Sequence, residues 1–378
     1  MIELEGYAII DALTVGEGIA VYRAVREGDK TPVTIKWAEK VAGESTREPR
    51  LRNELTISQS LESAGVIRAL GLERNWKGTA LILEDYGGVF LNEHLKNRTP
   101  DLESFLRWAI RLCEILGEIH QANIIHKDIN PSNIVVNPLT GSVKLTEFGI
   151  ATLLPLEERG MVSPGRLEGT LAYMSPEQTG RMNRVIDYRT DFYSLGVTFY
   201  EILTGRLPFE AYDALEVIYG HIARRPEPPA ALNPDLPAVV SDIVMKLLAK
   251  NAEDRYRSTF GLGEDLKTCL EQFTESGKVD GFKTGTRDRV EKFYVSRKLY
   301  GRKHQMAGLW NGFERVGDGE KSLALVSGYS GVGKSALVRE LHKPITEARG
   351  YFISGKFEQY RRDIPYSALI AAFAGRIG

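Results

Sequence analysis

Between residues 7 and 90, short apolar runs alternate with polar positions and break at turns. This predicts a series of strands with one helical stretch at about 47–62. The period changes at 101–122. There Phe105, Leu106, Ala109, Ile110, Leu112, Cys113, Leu116 and Ile119 recur at helical spacing and predict an amphipathic helix. Helical periodicity dominates again from about 187 to 273. It is interrupted by Pro226, Pro228, Pro229, Pro234 and Pro237, which mark a surface loop. Residues 275–286 carry Gly277, Gly281 and Gly285 among polar neighbours and read as a linker. The order then becomes strand, loop, helix, strand. An apolar strand is expected at 323–326, a helix from Ser335, a second strand at 351–357 and a further helix from Pro365. A domain boundary therefore falls near 275–300.

Composition narrows the class. The chain has 378 residues, 43% apolar and 26% charged, which fits a globular protein of two or three domains and excludes a wholly disordered one. With 49 basic and 50 acidic residues there is no basic excess to attract nucleic acid as the main partner. Two cysteines, Cys113 and Cys269, exclude a disulfide framework and read as buried residues in a reducing compartment. His94, His221, His304 and His342 lack metal-ligand spacing. No apolar run is long enough to span a membrane, and the acidic N-terminus does not suit a signal peptide, so a cytoplasmic location is expected.

Candidate chemistry concentrates first at 124–135, where His126, Lys127 and Asp128 lead to Asn133. Taken alone, this also suits a turn held by Asx side chains. Other elements accompany it in order: Val33, Thr34, Ile35 and Lys36 on a predicted strand; Glu54 in the next helical stretch; Glu147, Phe148 and Gly149; a segment from Gly169 and Thr170 to Pro176 and Glu177; one from Asp187 through Asp191; and Asp254, Arg255 and Tyr256.

With these residues the sequence resembles the eukaryotic-like serine/threonine protein kinases of bacteria, over about residues 7–273. The spelling from His126 to Asn133 further resembles the kinase module of very large hybrids. In those, a P-loop ATPase domain, sensor modules and a histidine kinase follow the kinase domain. The resemblance implies ATP and Mg²⁺ as cofactors. It gives Lys36 to the α- and β-phosphates, Glu54 to orienting Lys36, Asp128 to accepting the substrate hydroxyl proton, and Asn133 and Glu147 to the metal. Gly16, Gly18 and Val21 would cover the nucleotide. Leu83 would be the gatekeeper, and Glu84, Asp85 and Tyr86 the hinge. Glu177 and Arg255 would form a bracing ion pair, Asp191 would hold the catalytic loop from below, and His126 would be a spine residue.

The pattern is broken in places. Gly16 is the one match among three phosphate-loop glycines; Thr14 and Ile19 stand at the other two positions, although Gly18 supplies some freedom. Asn130 replaces the usual lysine, and Lys127 the usual arginine. Ser58 stands where an apolar spine residue is common. Glu147 replaces the metal-binding aspartate, adding about 1.5 Å of reach in a site where Mg²⁺ demands near-ideal geometry. Two readings stay open: an ATP-dependent serine/threonine kinase in bacterial signal transduction, or a pseudokinase-like ATP-binding module regulating an adjoining ATPase or sensor.

The second constellation, Gly328, Gly331, Gly333, Lys334 and Ser335, fits the Walker A pattern between a predicted strand and helix. Residues 299–306 resemble the entry segment of AAA/STAND-type signalling ATPases. No acidic Walker B strand appears before Gly378, so the ATPase segment is expected to be incomplete. A third reading makes it a nucleotide switch and the main actor. The expected fold is α+β: a bilobal protein-kinase fold followed by a truncated α/β P-loop NTPase domain. Residues 1–274 would be kinase, 275–298 linker and 299–378 the N-terminal part of the ATPase. Expected partners are a protein substrate and further domains of a longer polypeptide.

Overall fold

The computed structural model describes residues 2–15, 19–40, 47–96, 99–153, 167–182, 185–211, 213–289, 301–329 and 332–341, with isolated positions at 344–345, 348, 352–353, 366 and 372. By internal packing the chain divides into two units. One comprises residues 1–156, 187–208 and 227–291, the other residues 157–186, 209–226 and 292–378.

The first unit opens with an antiparallel five-stranded sheet: β1 (Tyr7–Val15), β2 (Ile19–Arg26), β3 (Pro32–Glu39), β4 (Ala69–Asn75) and β5 (Gly78–Glu84), in the order β1-β2-β3-β5-β4. The period of two sorts β3 cleanly. Val33, Ile35 and Trp37 join Tyr22, Ala24, Ala80 and Ile82 in one core. The other face of the sheet carries Ala38, Leu81 and Leu83, packed with Leu51, Ile67 and Ala69 in a second core. Helix α1 (Arg47–Ser60) supplies Leu51 to this second face and buries Glu54, Ile57 and Ser58. Lys36, which shares the Ala38 side of β3, is thereby enclosed although charged.

The second lobe begins with β6 (Val89–Phe90), α2 (Leu91–Leu95) and α3 (Leu102–Gln121). Asp101 caps α3 by accepting from Ser104 N at 2.7 Å. The expected apolar stripe is buried apart from the half-buried Ile110. Short strands β7 (Ile124–Ile125), β8 (Ile134–Val136), β9 (Val143–Leu145) and β10 (Thr152–Leu153) follow. β6-β8-β9 form one small sheet, and β7 pairs with β10. Helix α4 (Arg189–Thr204) is almost wholly buried and ends at Gly205, whose φ of 68° only glycine adopts freely.

In the second unit, α5 (Ala214–Ile222) packs with the turns Leu171–Tyr173 and Pro176–Thr179. Returning to the first unit, α6 (Pro229–Leu232) and α7 (Ala238–Leu247) precede α8 (Thr259–Ser276), which lies against α3. Gly117 faces Thr259, and the Cys113 thiol donates to Thr259 O at 2.9 Å. Cys113 and Cys269 are free and buried, and burial pushes both thiols up.

Beyond residue 300, within the second unit, lie α9 (Lys303–Gly317) and α10 (Lys334–Arg339). The strand expected at 323–326 does not form. Residues 321–329 lack regular structure, with Leu323 98% and Leu325 92% exposed. A strand exists through ladder bonds to a neighbour, and among the described residues none lies beside it. The strand expected at 351–357 and the helix from Pro365 lie almost wholly outside the described residues.

Candidate active site

Between the sheet and the second lobe lies an open pocket, lined among others by Leu13, Val21, Lys36, Leu83, Glu84, Tyr86, Val135 and Thr146. Val21 pairs with Lys36 across β2 and β3, so both side chains share one face. Leu83 is buried at the end of β5. After it, Glu84 accepts from Lys144 Nζ at 2.5 Å, and Tyr86 is held by its hydroxyl to Ser142 Oγ and by its carbonyl to Asn137 Nδ2. Gly16 and Gly18 lie outside the described residues.

At the back of the pocket Lys36 Nζ lies 2.6 Å from Glu54 Oε1 and 2.7 Å from Glu147 Oε1. It also donates to Thr146 Oγ1 at 3.3 Å. Burial alone would depress the lysine, but the Glu147 and Glu54 carboxylates outweigh it and hold the ammonium above its ordinary range. Glu54 Oε1 also accepts from Glu147 N at 3.0 Å, which ties α1 to the turn holding Glu147.

Asp128 and Asn133 occupy the stretch between β7 and β8. Asn133 Nδ2 donates to Asp128 O at 2.7 Å and to its Oδ2 at 3.0 Å. Asn130 does similar work: its Nδ2 reaches Asp128 O and Oδ1, while its own Oδ1 accepts from Ser132 N at 2.9 Å and caps the following turn. The loop is fixed from below by Asp191 on α4, which accepts from His126 N at 3.0 Å and Lys127 N at 2.8 Å. Lys127 and Glu147 both have left-handed backbones, with φ of 69° and 68°. Such strain in non-glycine residues collects where surrounding structure enforces it, often at functional sites.

The hairpin of β8 and β9 brings Asn133 beside the Glu147 turn, since Thr146 N donates to Asn133 O at 3.0 Å. With Asn133 Nδ2 turned to Asp128, its Oδ1 has no donor among the described residues. This oxygen and the Glu147 carboxylate are hard donors that fit a divalent cation of the Mg²⁺ class. His126 Nε2 lies 2.9 Å from Thr146 O, and its ring stands edge-on to buried Phe148 at 4.7 Å.

Three residues not assigned from sequence complete the arrangement. Asn53 Nδ2 donates to the carbonyls of Phe148, Gly149 and Ala151 at 3.1, 3.2 and 2.8 Å. Its one signal in sequence is adjacency to Glu54. Thr146 bridges Lys36 and Glu54. His120 Nε2 lies 2.8 Å from Asp191 Oδ2. Ser58, at a position usually apolar, is satisfied: its hydroxyl donates to Ile67 O at 3.2 Å and accepts from Ala69 N at 2.8 Å.

Elsewhere, Arg255 is buried, donating to the carbonyls of Ala249 and Arg189 at 2.8 Å and lying over the Tyr193 ring. In the second unit, Thr170 O accepts from Tyr173 N at 2.9 Å, and Glu177 is buried in a turn closed by a Ser175–Gln178 capping box. There too, Gly333 precedes α10 with φ of 89°, and Gly328 has φ of 154°. Lys334 Nζ turns back onto the carbonyls of Gly328 and Tyr329, each at 2.7 Å. Ser335 is exposed at the start of α10, and Gly331 lies outside the described residues.

A lysine paired to a helical glutamate, beside an Asp–Asn loop braced by a buried aspartate, is the arrangement that the protein kinase domain carries, and the chain belongs to that family. The protein kinase domain matches residues 7–264. The AAA ATPase domain matches residues 298–377. Among individual proteins, hybrid signal transduction histidine kinase G of Dictyostelium discoideum is 30% identical over an alignment covering 72% of this chain and 10% of that protein. Serine/threonine-protein kinase PknB of Mycobacterium tuberculosis is 38% identical, covering 49% of this chain and 29% of that protein. A probable serine/threonine-protein kinase of Streptomyces coelicolor is 29% identical, covering 61% and 35%. The chain thus spans between 10% and 35% of the length of these curated relatives. None of the described helices is long and apolar enough to cross a membrane.

Proposed function

We propose that the chain transfers the γ-phosphoryl group of ATP to serine or threonine hydroxyls of a protein. The observation that carries this is the closed Lys36–Glu54 pair at 2.6 Å, in the same unit as Asp128 held by Asn133 at 3.0 Å. Leu83, Glu84 and Tyr86 line the adenine end of the pocket, and Lys36 holds the α- and β-phosphates. The substrate hydroxyl oxygen attacks the γ-phosphorus, the bond to the β-phosphate oxygen breaks, and the hydroxyl proton passes to Asp128. A bound Mg²⁺ would neutralise charge on the phosphates, with Asn133 and Glu147 as its protein ligands.

Residues 1–274 act as the kinase domain, 275–298 as the link and 299–378 as the first part of a P-loop domain that binds a second nucleotide through Lys334 and Ser335. The likeness to a hybrid histidine kinase supports further signalling modules as partners, and the two free, buried cysteines support a reducing compartment such as the cytoplasm. One observation favours the regulatory alternative: Glu147 is engaged by Lys36 at 2.7 Å. Incubating the full chain with Mg²⁺ and γ-labelled ATP decides between them. Label on serine or threonine, absent in Asp128→Asn, is expected; no label on the chain or on a generic basic protein would leave the regulatory reading.

A further inference from the structure

We propose that Asp288, in the segment after the kinase helices, is a positioning residue for the catalytic loop. The sequence there reads as a linker, yet the chain through residue 289 is held along α8. Asp280 N donates to Gln272 Oε1 at 2.8 Å, Gly285 N to Asp265 Oδ2 at 2.6 Å, and Arg287 pairs with Glu264 at 2.9 Å. Asp288 then accepts from Arg257 N at 2.8 Å, Ser258 N at 3.1 Å and Ser258 Oγ at 3.0 Å. Ser258 Oγ accepts in turn from Gly261 N at 3.0 Å, so the carboxylate caps α8 through a hydroxyl relay. The approach requires glycine: a Cβ on Gly261 would lie 2.4 Å from Asp288 Oδ1 and 2.6 Å from its Cα.

Arg257 is where this cap meets the site. Its amide is held by Asp288, while its carbonyl accepts from Tyr188 OH at 2.7 Å. The Tyr188 ring stands edge-on to His120 at 5.5 Å, and His120 Nε2 bonds Asp191 Oδ2 at 2.8 Å. Asp191 holds the amides of His126 and Lys127, which precede Asp128. Without Asp288 the Arg257 main chain loses one of its two anchors. Tyr188 and His120 then brace Asp191 less firmly, and the loop loosens. A continuous set of contacts is a route for coupling, and coupling itself is what must be measured.

The consequence for catalysis rests on the phosphotransfer reading, but the structural link does not, and the test separates them. Amide hydrogen exchange is followed in the full chain for wild type, Asp288→Ala, Asp288→Asn and Tyr188→Phe. In Asp288→Ala, exchange at His126 and Lys127 is expected to rise about fivefold, with the amides of the β3–β5 ladder unchanged. Tyr188→Phe should act alike, the double variant less than additively, and Asp288→Asn, which keeps an acceptor, should recover part of the effect. In kinetics kcat should fall with the KM for ATP unchanged. Unchanged exchange at His126 and Lys127 would overturn the proposal, as would equal acceleration throughout the sheet, which marks simple loss of stability. A wild type without phosphotransfer would overturn the kinase reading alone, and the exchange result would still decide this one.

Discussion

Lys36 and Glu147 form an ion pair of 2.7 Å in which the lysine side chain is 1% and the glutamate 33% exposed. The same ammonium lies 2.6 Å from Glu54, so one buried cation serves two carboxylates. The added methylene of Glu147 makes this contact close. The carboxylate that would share a metal with Asn133 is thus held by the lysine that would hold the phosphates.

Replacing Lys36 by Met should abolish phosphotransfer and cost about 3 kcal/mol at neutral pH, because Glu54 is left buried without a cation. Lys36 titrates above the ordinary 10.5, since the two carboxylates outweigh the burial that opposes them. Its contribution is therefore complete below that value and is lost as pH rises through the higher folded pKa. Denaturant melts from neutral pH to about pH 11.5 should show the gap between wild type and Lys36→Met narrowing at the alkaline end. A gap independent of pH would count against the charge argument.

Asn53→Ala removes three donations to the turn that carries Glu147. A roughly tenfold fall in kcat is expected, equivalent to about 1.4 kcal/mol, with a melting temperature lower by about 4 °C. Asn53→Asp offers no amide donor and should behave like the alanine variant. Wild-type kinetics in Asn53→Asp would show that the turn holds its place without these bonds.

The sequence announced the kinase elements because each needs a particular side chain: an ammonium at Lys36, a carboxylate at Asp128, an amide at Asn133. It announced the burial of α3 because periodicity reports on a face. Asn53 was illegible because its partners are backbone carbonyls, which any residue at 148, 149 and 151 would present. Ser58 looked like a defect because its compensation, Ile67 O and Ala69 N, is again main chain. The docking of the 278–289 segment was hidden for a related reason. Its glycines and polar residues suit a linker, and the Asp288 cap becomes visible only when residue 258 stands beside it. The strand expected at 323–326 fails for the opposite reason, since apolar β-formers make a strand only beside another strand.

Ser58→Ala tests the main-chain bridge between α1 and β4. Both Ile67 O and Ala69 N would be left buried without their partner, at a cost of about 2 kcal/mol. The expected reading is a lower denaturation midpoint with an unchanged denaturant slope. A neutral substitution would mean that the strand end already satisfies both groups.

Glu147→Asp should raise phosphotransfer at limiting Mg²⁺. The Glu147 backbone is fixed by its own amide, which donates to Glu54 Oε1 at 3.0 Å, so the side chain alone sets the reach. Removing a methylene withdraws the carboxylate by about 1.5 Å, beyond bonding distance of Lys36. The ammonium is then released to the phosphates and the carboxylate to the metal. Aspartate also tolerates the left-handed backbone here, φ 68°, better than glutamate does. The Mg²⁺ concentration for half-maximal rate should fall about tenfold, or about 1.4 kcal/mol. Asn130→Lys is a poorer repair, because it removes the cap on Ser132 N and two bonds to Asp128. Magnesium titrations of wild type, Glu147→Asp, Glu147→Gln and Asn130→Lys check the argument, the glutamine variant being expected to lose metal-dependent activity. A wild type that saturates at lower Mg²⁺ than Glu147→Asp would mean that the longer side chain is the better metal ligand in this site, and that its contact with Lys36 yields when nucleotide binds.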